Sequence, residues 1–275
     1  MASAGRKDKP RVLVVANQKG GVGKTTTTIN LGTALAATGE DVLIVDLDPQ
    51  GNASTGLGID RSERNISTYD VLVDGKSLAD AAVRTAVPRL SVAPSTLDLL
   101  GAEADLGADK RRTYRLADAI TAMAATAGKT GKAGYTYVLI DCPPSLNLLT
   151  INAMAAADSV LVPLQCEFFA LEGLSQLLQT VERVKTSLNP GLTIHGVVLT
   201  MFDPRNNLSG QVADDVRQHL GEKVYKTVIP RNVRVSEAPS HGKPALLYDY
   251  HCSGSQAYIR LASEVIQRER ALRAA

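Results

Sequence analysis

Cysteine, histidine and long apolar runs are scarce in this chain, and each shortage removes a class of function. The three cysteines, Cys142, Cys166 and Cys252, are odd in number and far apart. That spacing suits neither a disulfide framework nor a zinc site and points to a reducing compartment. The four histidines, His195, His219, His241 and His251, form no local ligand pair. No apolar run approaches the roughly 20 residues that a membrane-spanning helix needs. Residues 1–10 are polar and basic without the apolar centre of a secretion signal, which reads as a flexible cytoplasmic tail. Excess charge is missing too: 30 Lys and Arg against 28 Asp and Glu leave +2, so any nucleic acid must be held through a local patch. Without repeats or linker-like stretches, the remainder, 11–275, reads as a single domain.

What is present is concentrated in residues 17–28. An apolar run, Val12 to Ala16, leads into Asn17-Gln18-Lys19-Gly20-Gly21-Val22-Gly23-Lys24-Thr25-Thr26, and a helical pattern follows from Ile29. Strand, glycine-rich turn and helix start in that order form a phosphate cradle. Gly20, Gly21 and Gly23 allow backbone angles closed to other residues, so successive N–H groups can converge on an anion. Lys24 supplies a point charge for the outer phosphates and the Thr25 hydroxyl a magnesium ligand. The usual pattern has glycine where Gln18 stands, and Lys19 is an additional lysine at the loop entrance. Lys19 is either an exposed side chain without a role or one that reaches a phosphate held by a second copy of the chain.

Downstream, strands and helices alternate. Asp41 to Asp46 is a buried-strand pattern ending in Leu47-Asp48-Pro49-Gln50-Gly51-Asn52. Acids at the carboxyl end of a parallel strand are placed for ligand chemistry; the alternative for Asp48 is a turn-forming carboxylate. Residues 53–88 carry weak helical periodicity at Ser67 to Leu72 and Leu78 to Val83. Leu90 to Pro94 reads as a short strand, with a helix from about Thr96, a longer one over about Lys110 to Ala127, and a glycine- and lysine-rich loop over 128–134. Tyr137 to Asp141 is a strong strand, closed by Cys142-Pro143-Pro144; the proline pair predicts a switch loop. An acid ending such a strand suits the magnesium shell of a nucleotide site. Strands are expected over Asp158 to Pro163, Leu192 to Thr200 and Val224 to Ile229, and helices over Leu171 to Ser187, Ser209 to Leu220 and Ser253 to Ala271. The fold class is α/β: a three-layer sandwich with a mostly parallel twisted sheet and helices on both faces.

Several segments together resemble the ParA/Soj family of chromosome- and plasmid-partitioning ATPases, within the deviant Walker P-loop group that includes MinD. They are Lys19 to Thr26, Val45 to Asn52, Ile140 to Pro144, Leu199 to Asp203 and Ile229 to Pro244. The likeness runs from about residue 11 to 270, and the last segment is specific to the partitioning branch. The resemblance implies an ATP- and Mg2+-dependent hydrolase that dimerises on ATP. It implies Gly20 to Thr26, including Val22, Lys24 and Thr25, around the phosphates, and Thr25, Asp48 and Asp141 at the magnesium. It implies Met201, Pro230, Arg231 and Asn232 on the base side, Lys19 crossing a nucleotide-sandwich homodimer, and Asp48 needed for hydrolysis. Arg205 and Arg234 match arginines that hold double-stranded DNA without sequence preference. A ParB-type centromere-binding partner and a nucleoid-associated, cytoplasmic location are implied as well. The larger plasmid type carries an N-terminal helix-turn-helix extension; with about ten residues before the first strand, operator binding is not expected.

Lys226, Arg217 and Lys243 read first as solvated charges. A MinD-like membrane cycle would need a lipid-facing C-terminal helix, whereas Tyr258, Leu261, Val265 and Ile266 have core-facing spacing. An iron–sulfur ATPase would need a second cysteine beside Cys142, and none pairs with it.

Overall fold

The structure is a computed structural model that describes residues 9–130 and 134–274. Residues 1–8 of the expected tail and 131–133 of the expected glycine- and lysine-rich loop lie outside the described residues. Eight strands form one sheet: β1 (Arg11–Val15), β2 (Val42–Asp46), β3 (Val83–Arg84), β4 (Leu90–Ala93), β5 (Tyr137–Asp141), β6 (Ser159–Gln165), β7 (Thr193–Phe202) and β8 (Val224–Pro230). Their order is β3-β4-β2-β5-β1-β6-β7-β8, and every neighbouring pair is parallel except β3–β4.

The central strands read as continuous apolar runs because both faces of the sheet are covered. Alternate residues go to opposite cores. Val12 and Val14 of β1 join Val138 and Ile140 on one face, while Leu13 and Val15 join Leu139 and Leu161 on the other. The first face is covered by the helices Arg115–Thr130, Leu148–Ala156, Ala170–Ser187 and Asn207–Leu220. They contribute rows at helical spacing, such as Leu174, Leu177, Val181 and Val184. The second face carries α1 (Lys24–Ala37) and the C-terminal helix Ser253–Ala274, with Ile29, Leu31 and Leu35 meeting Tyr258, Leu261 and Val265 in one cluster.

Four local expectations are corrected. The periodicity over Leu78 to Val83 stops at Ala81; Val83 and Arg84 instead pair antiparallel with β4. The segment after Thr96 is a 3-10 turn, Leu97–Leu100, followed by a short helix, Ala102–Asp105, with Gly101 between them. The helix expected from Lys110 begins at Arg115, because Asp109 accepts from the Arg111 N–H (2.8 Å) and pairs with the Arg115 guanidinium (2.6 Å), holding 110–114 in turns. It also continues through Gly128 to Thr130, where a loop was expected. Finally, a helix over Leu148–Ala156 was not anticipated; Asn147 caps it by accepting from the N–H groups of Leu149 and Thr150. Most of its residues are buried, so no polar face marks it in sequence.

The C-terminal helix is locked to the sheet at Gly196 in β7. Arg268 donates to the carbonyls of His195 (3.1 Å) and Val224 (3.0 Å) and lies over the Tyr225 ring. A Cβ at Gly196 would stand 2.7 Å from the Tyr225 ring and 2.8 Å from the Lys223 carbonyl oxygen. Gly196→Ala should therefore destabilise the chain by about 1–3 kcal/mol, read as a lower urea midpoint with an unchanged slope.

Candidate active site

The carboxyl ends of β1, β2 and β5 meet at one edge of the sheet. Register pairs Val15 with Asp141 and Asp46 with Asp141. The chain leaves β1 through Asn17, whose buried side chain accepts from the Lys19 N–H (3.0 Å) and donates to the Pro163 carbonyl (2.8 Å). Gly21 and Gly23 then take left-handed angles, φ 74° and 89°, and Gly23 is the N-cap of α1. Free N–H groups and the positive end of a 14-residue helix thus converge on one concavity. Lys24, the first helical residue, is buried and donates from Nζ to the Lys19 carbonyl at 2.9 Å. Burial lowers its pKa, while the charges of Asp141, Cys142 and Asp48 act in the opposite sense.

Three acids stand opposite. Asp46 is fully committed to structure: Oδ2 accepts from the Ser54 N–H (2.8 Å) and hydroxyl (2.7 Å), and Oδ1 from the Asp48 N–H (3.2 Å). Asp141 Oδ1 accepts from the Thr28 hydroxyl at 3.2 Å, whereas Oδ2 is buried without a hydrogen-bond partner among the described residues. Burial first, and then the neighbouring charge of Asp46, push the Asp141 pKa up; the Thr25 hydroxyl pulls it down. Asp48 is 9% exposed, and its Oδ1 accepts from the Gln50 N–H at 3.0 Å. The turn-forming carboxylate and the cavity-facing acid are therefore one residue.

An orphaned carboxylate oxygen beside Thr25 and a phosphate cradle is a donor set that fits magnesium. No cluster of three or more His, Cys, Asp or Glu suited to a metal occurs among the described residues.

Two cavities adjoin here. One, about 570 Å³, is lined by Gly20, Gly21, Lys24, Thr25, Asp48 and Pro143 among others. The second, about 430 Å³, is lined by Pro230, Arg231, Asn232, Val233, Ile229 and Tyr258 among others. Gly23, Thr26 and Met201 border both. Met201 has φ 49°, an unusual left-handed angle for a long side chain. The preceding Thr200 donates its hydroxyl to the carbonyl of buried Val22 at 2.8 Å, which ties β7 to the glycine loop. Arg231 donates its N–H to the Phe202 carbonyl (3.0 Å), and Asn232 caps the helix Val233–Glu237 while bonding Ser253 (3.0 Å).

Three residues singled out from sequence stand apart from the cavities. Lys19 forms an ion pair with Glu167 of its own chain, both side chains about 40% exposed. Arg205 is 86% exposed and grips Asp203 through Nε (2.9 Å) and Nη2 (2.8 Å). Arg234 contacts Glu237 (3.1 Å) and Asp249 (3.7 Å). Conversely, Asn17 and Thr200 shape the site and were not assigned in sequence. An asparagine just after a buried strand is a turn signal that could have exposed the first; Thr200 left no signal.

A glycine loop between β1 and a helix start, facing a strand-end acid in a parallel sheet, defines an α/β P-loop nucleotide hydrolase. A family model described as AAA domain matches residues 10–194. The chain is 66% identical over 260 residues to the chromosome partitioning protein ParA of Caulobacter vibrioides, spanning 94% of this chain and 95% of that protein. It is 53% identical over 255 residues to the sporulation initiation inhibitor protein Soj of Bacillus subtilis, spanning 93% and 98%. Among solved structures, the cobyrinic acid a,c-diamide synthase of Mycobacterium smegmatis with bound ATP analog and magnesium aligns with a TM-score of 0.80 at 37% identity, covering 95% of this chain and 96% of that one. The chain belongs to the ParA/Soj family of chromosome-partitioning ATPases.

Asn17→Ala would leave the Lys19 N–H and the buried Pro163 carbonyl without partners. We expect a loss of about 1–3 kcal/mol in stability, read by urea denaturation. Weaker binding of a fluorescent ATP analogue should accompany it, because the loop entrance is released.

Proposed function

We propose that the chain acts through residues 11–275 as one ATPase domain that dimerises on ATP, binds double-stranded DNA without sequence preference and releases it on hydrolysis to ADP and phosphate. The observation that carries this reading is the continuity of the two cavities through Gly23, Thr26 and Met201, with the unpartnered Asp141 oxygen at the phosphate end. A triphosphate would lie along Gly20 to Thr26, with Lys24 on its outer phosphates. Thr25, Asp141 and the shell around Asp48 would hold magnesium, which neutralises charge on the transferring group. The base would sit against Met201, Pro230, Arg231 and Asn232. The ATP analog and magnesium in the Mycobacterium smegmatis relative support both ligands.

Transfer to water proceeds through a loose transition state that is stabilised mainly by positioning and charge. Asp48 orients the attacking water. Lys19 from a second copy adds positive charge at the phosphates, so turnover depends on dimerisation. Arg205 and Arg234 give one subunit a small cationic footprint, and pairing doubles it. Non-specific affinity then rises with ATP and falls with salt. The partner that triggers release is a ParB-type centromere-binding protein, and the cargo is a chromosome or a plasmid. The protein works in the cytoplasm on the nucleoid. A membrane cycle finds no support in the C-terminal helix, because Tyr258, Leu261 and Val265 are within the core. Nor is any helix among the described residues long and apolar enough to span a bilayer.

Co-sedimentation with duplex DNA under ATP, ADP and no nucleotide, at two salt concentrations, tests the reading. ATP should raise the bound fraction and salt lower it, and Arg234→Glu should abolish retention while basal phosphate release persists. Equal retention without nucleotide would refute it. Lys19→Ala should still bind ATP but stay monomeric by light scattering and lose DNA-stimulated turnover; full activity in that variant would take Lys19 out of the mechanism.

A further inference from the structure

We propose that Arg64 is a positioning residue for hydrolysis, its buried guanidinium clamping from behind the backbone of the loop that carries Asp48. The inference rests on the role proposed above for Asp48. Arg64 is 8% exposed and lines neither cavity. Among the described residues its hydrogen bonds go to neutral oxygens: the Ile59 carbonyl (3.0 Å from Nη2), the Ser95 carbonyl (2.8 Å from Nη1) and the Thr55 hydroxyl (2.8 Å from Nη2).

Two of these acceptors, Ser95 and Thr55, lead to the Asp48 loop. The Ser95 hydroxyl donates to the Asp48 carbonyl. The Thr55 hydroxyl donates to the Gly51 carbonyl at 3.0 Å, and the Gly51 N–H returns to the Asp48 carbonyl at 2.8 Å. Gly51 itself has φ 65°, and a Cβ there would stand 2.2 Å from Arg64 Nη1, so the loop passes directly over the guanidinium. Ser54, held by Asp46, accepts from the Ser95 N–H at 3.2 Å and closes the same cluster. The loop is therefore fixed on its buried side, and the Asp48 carboxylate is left on the cavity side.

Burial of the cation carries a desolvation cost that an apolar side chain of similar size would not, offset in part by the nearby charge of Asp46. What the guanidinium adds is a planar fork that holds three acceptors at fixed angles. A lysine ammonium on a flexible stem cannot reproduce that fork, although it preserves the charge.

The test uses the full chain, with phosphate release at saturating ATP, magnesium and duplex DNA, alongside KM for ATP and binding of a fluorescent ATP analogue. Misplacing a catalytic group by about 1 Å can cost on the order of 100-fold. Arg64→Lys should lower kcat by about 10- to 100-fold while KM and ATP affinity stay within about threefold. Ser95→Ala, which removes one hydroxyl and no charge, should produce a smaller loss of the same kind. Neither change should lower the residual rate of Asp48→Ala further. Wild-type turnover in Arg64→Lys and Ser95→Ala beside an inactive Asp48→Ala would overturn the clamp alone, as would ATP affinity falling in step with turnover. Should Arg64→Lys not fold, Ser95→Ala decides. Wild-type turnover in Asp48→Ala would instead remove the role of Asp48, and the clamp with it.

Discussion

Two buried carboxylates in register across adjacent parallel strands, Asp46 on β2 and Asp141 on β5, set the terms for the rest of the site. Burial pushes the pKa of each upward, and the charge of Asp46 raises that of Asp141 further. The chain resolves the conflict unequally. Asp46 spends both oxygens on Ser54 and the Asp48 N–H, which ties down the loop that follows. Asp141 keeps one oxygen unpaired, facing the place where the Lys24 charge and the helix start already favour anions. Structure on one strand and chemistry on the next come from the same residue type in nearly the same position.

This division also marks how far the sequence could be read. The strands behind the site were legible because β1, β2 and β5 are buried on both faces and appear as unbroken apolar runs. The cradle was legible because its glycines, lysine and threonine are adjacent in sequence. Asp46 and Asp48 looked alike in residue pattern; the family likeness singled out Asp48, and their hydrogen bonds give the physical difference. Asn232 and Met201 could be tied to the second cavity only by family likeness, since β7 and β8 bring them to Gly23 from about two hundred residues away. Lys19 meeting Glu167 and Arg64 meeting Ser95 are tertiary contacts with no local pattern to announce them. The helix Leu148–Ala156 escaped for the opposite reason: it is apolar on nearly every side.

The two faces of the sheet serve different ends. On one, α1 and the C-terminal helix share a core, and Arg268 together with Glu269 ties that helix to β1, β7 and β8. The start of α1, which forms the cradle, is thereby braced against the far end of the chain.

The pairing of Arg205 with Asp203 carries one further consequence. If Arg205 holds DNA as proposed, an arginine that arrives with its own counterion would meet a nucleic-acid phosphate by substitution: one anion leaves as another enters. The gain from each such encounter is the difference between two similar attractions, so the grip of a single arginine is shallow. On the proposed function, a carrier that must let go of its track between steps would be well served by many shallow holds.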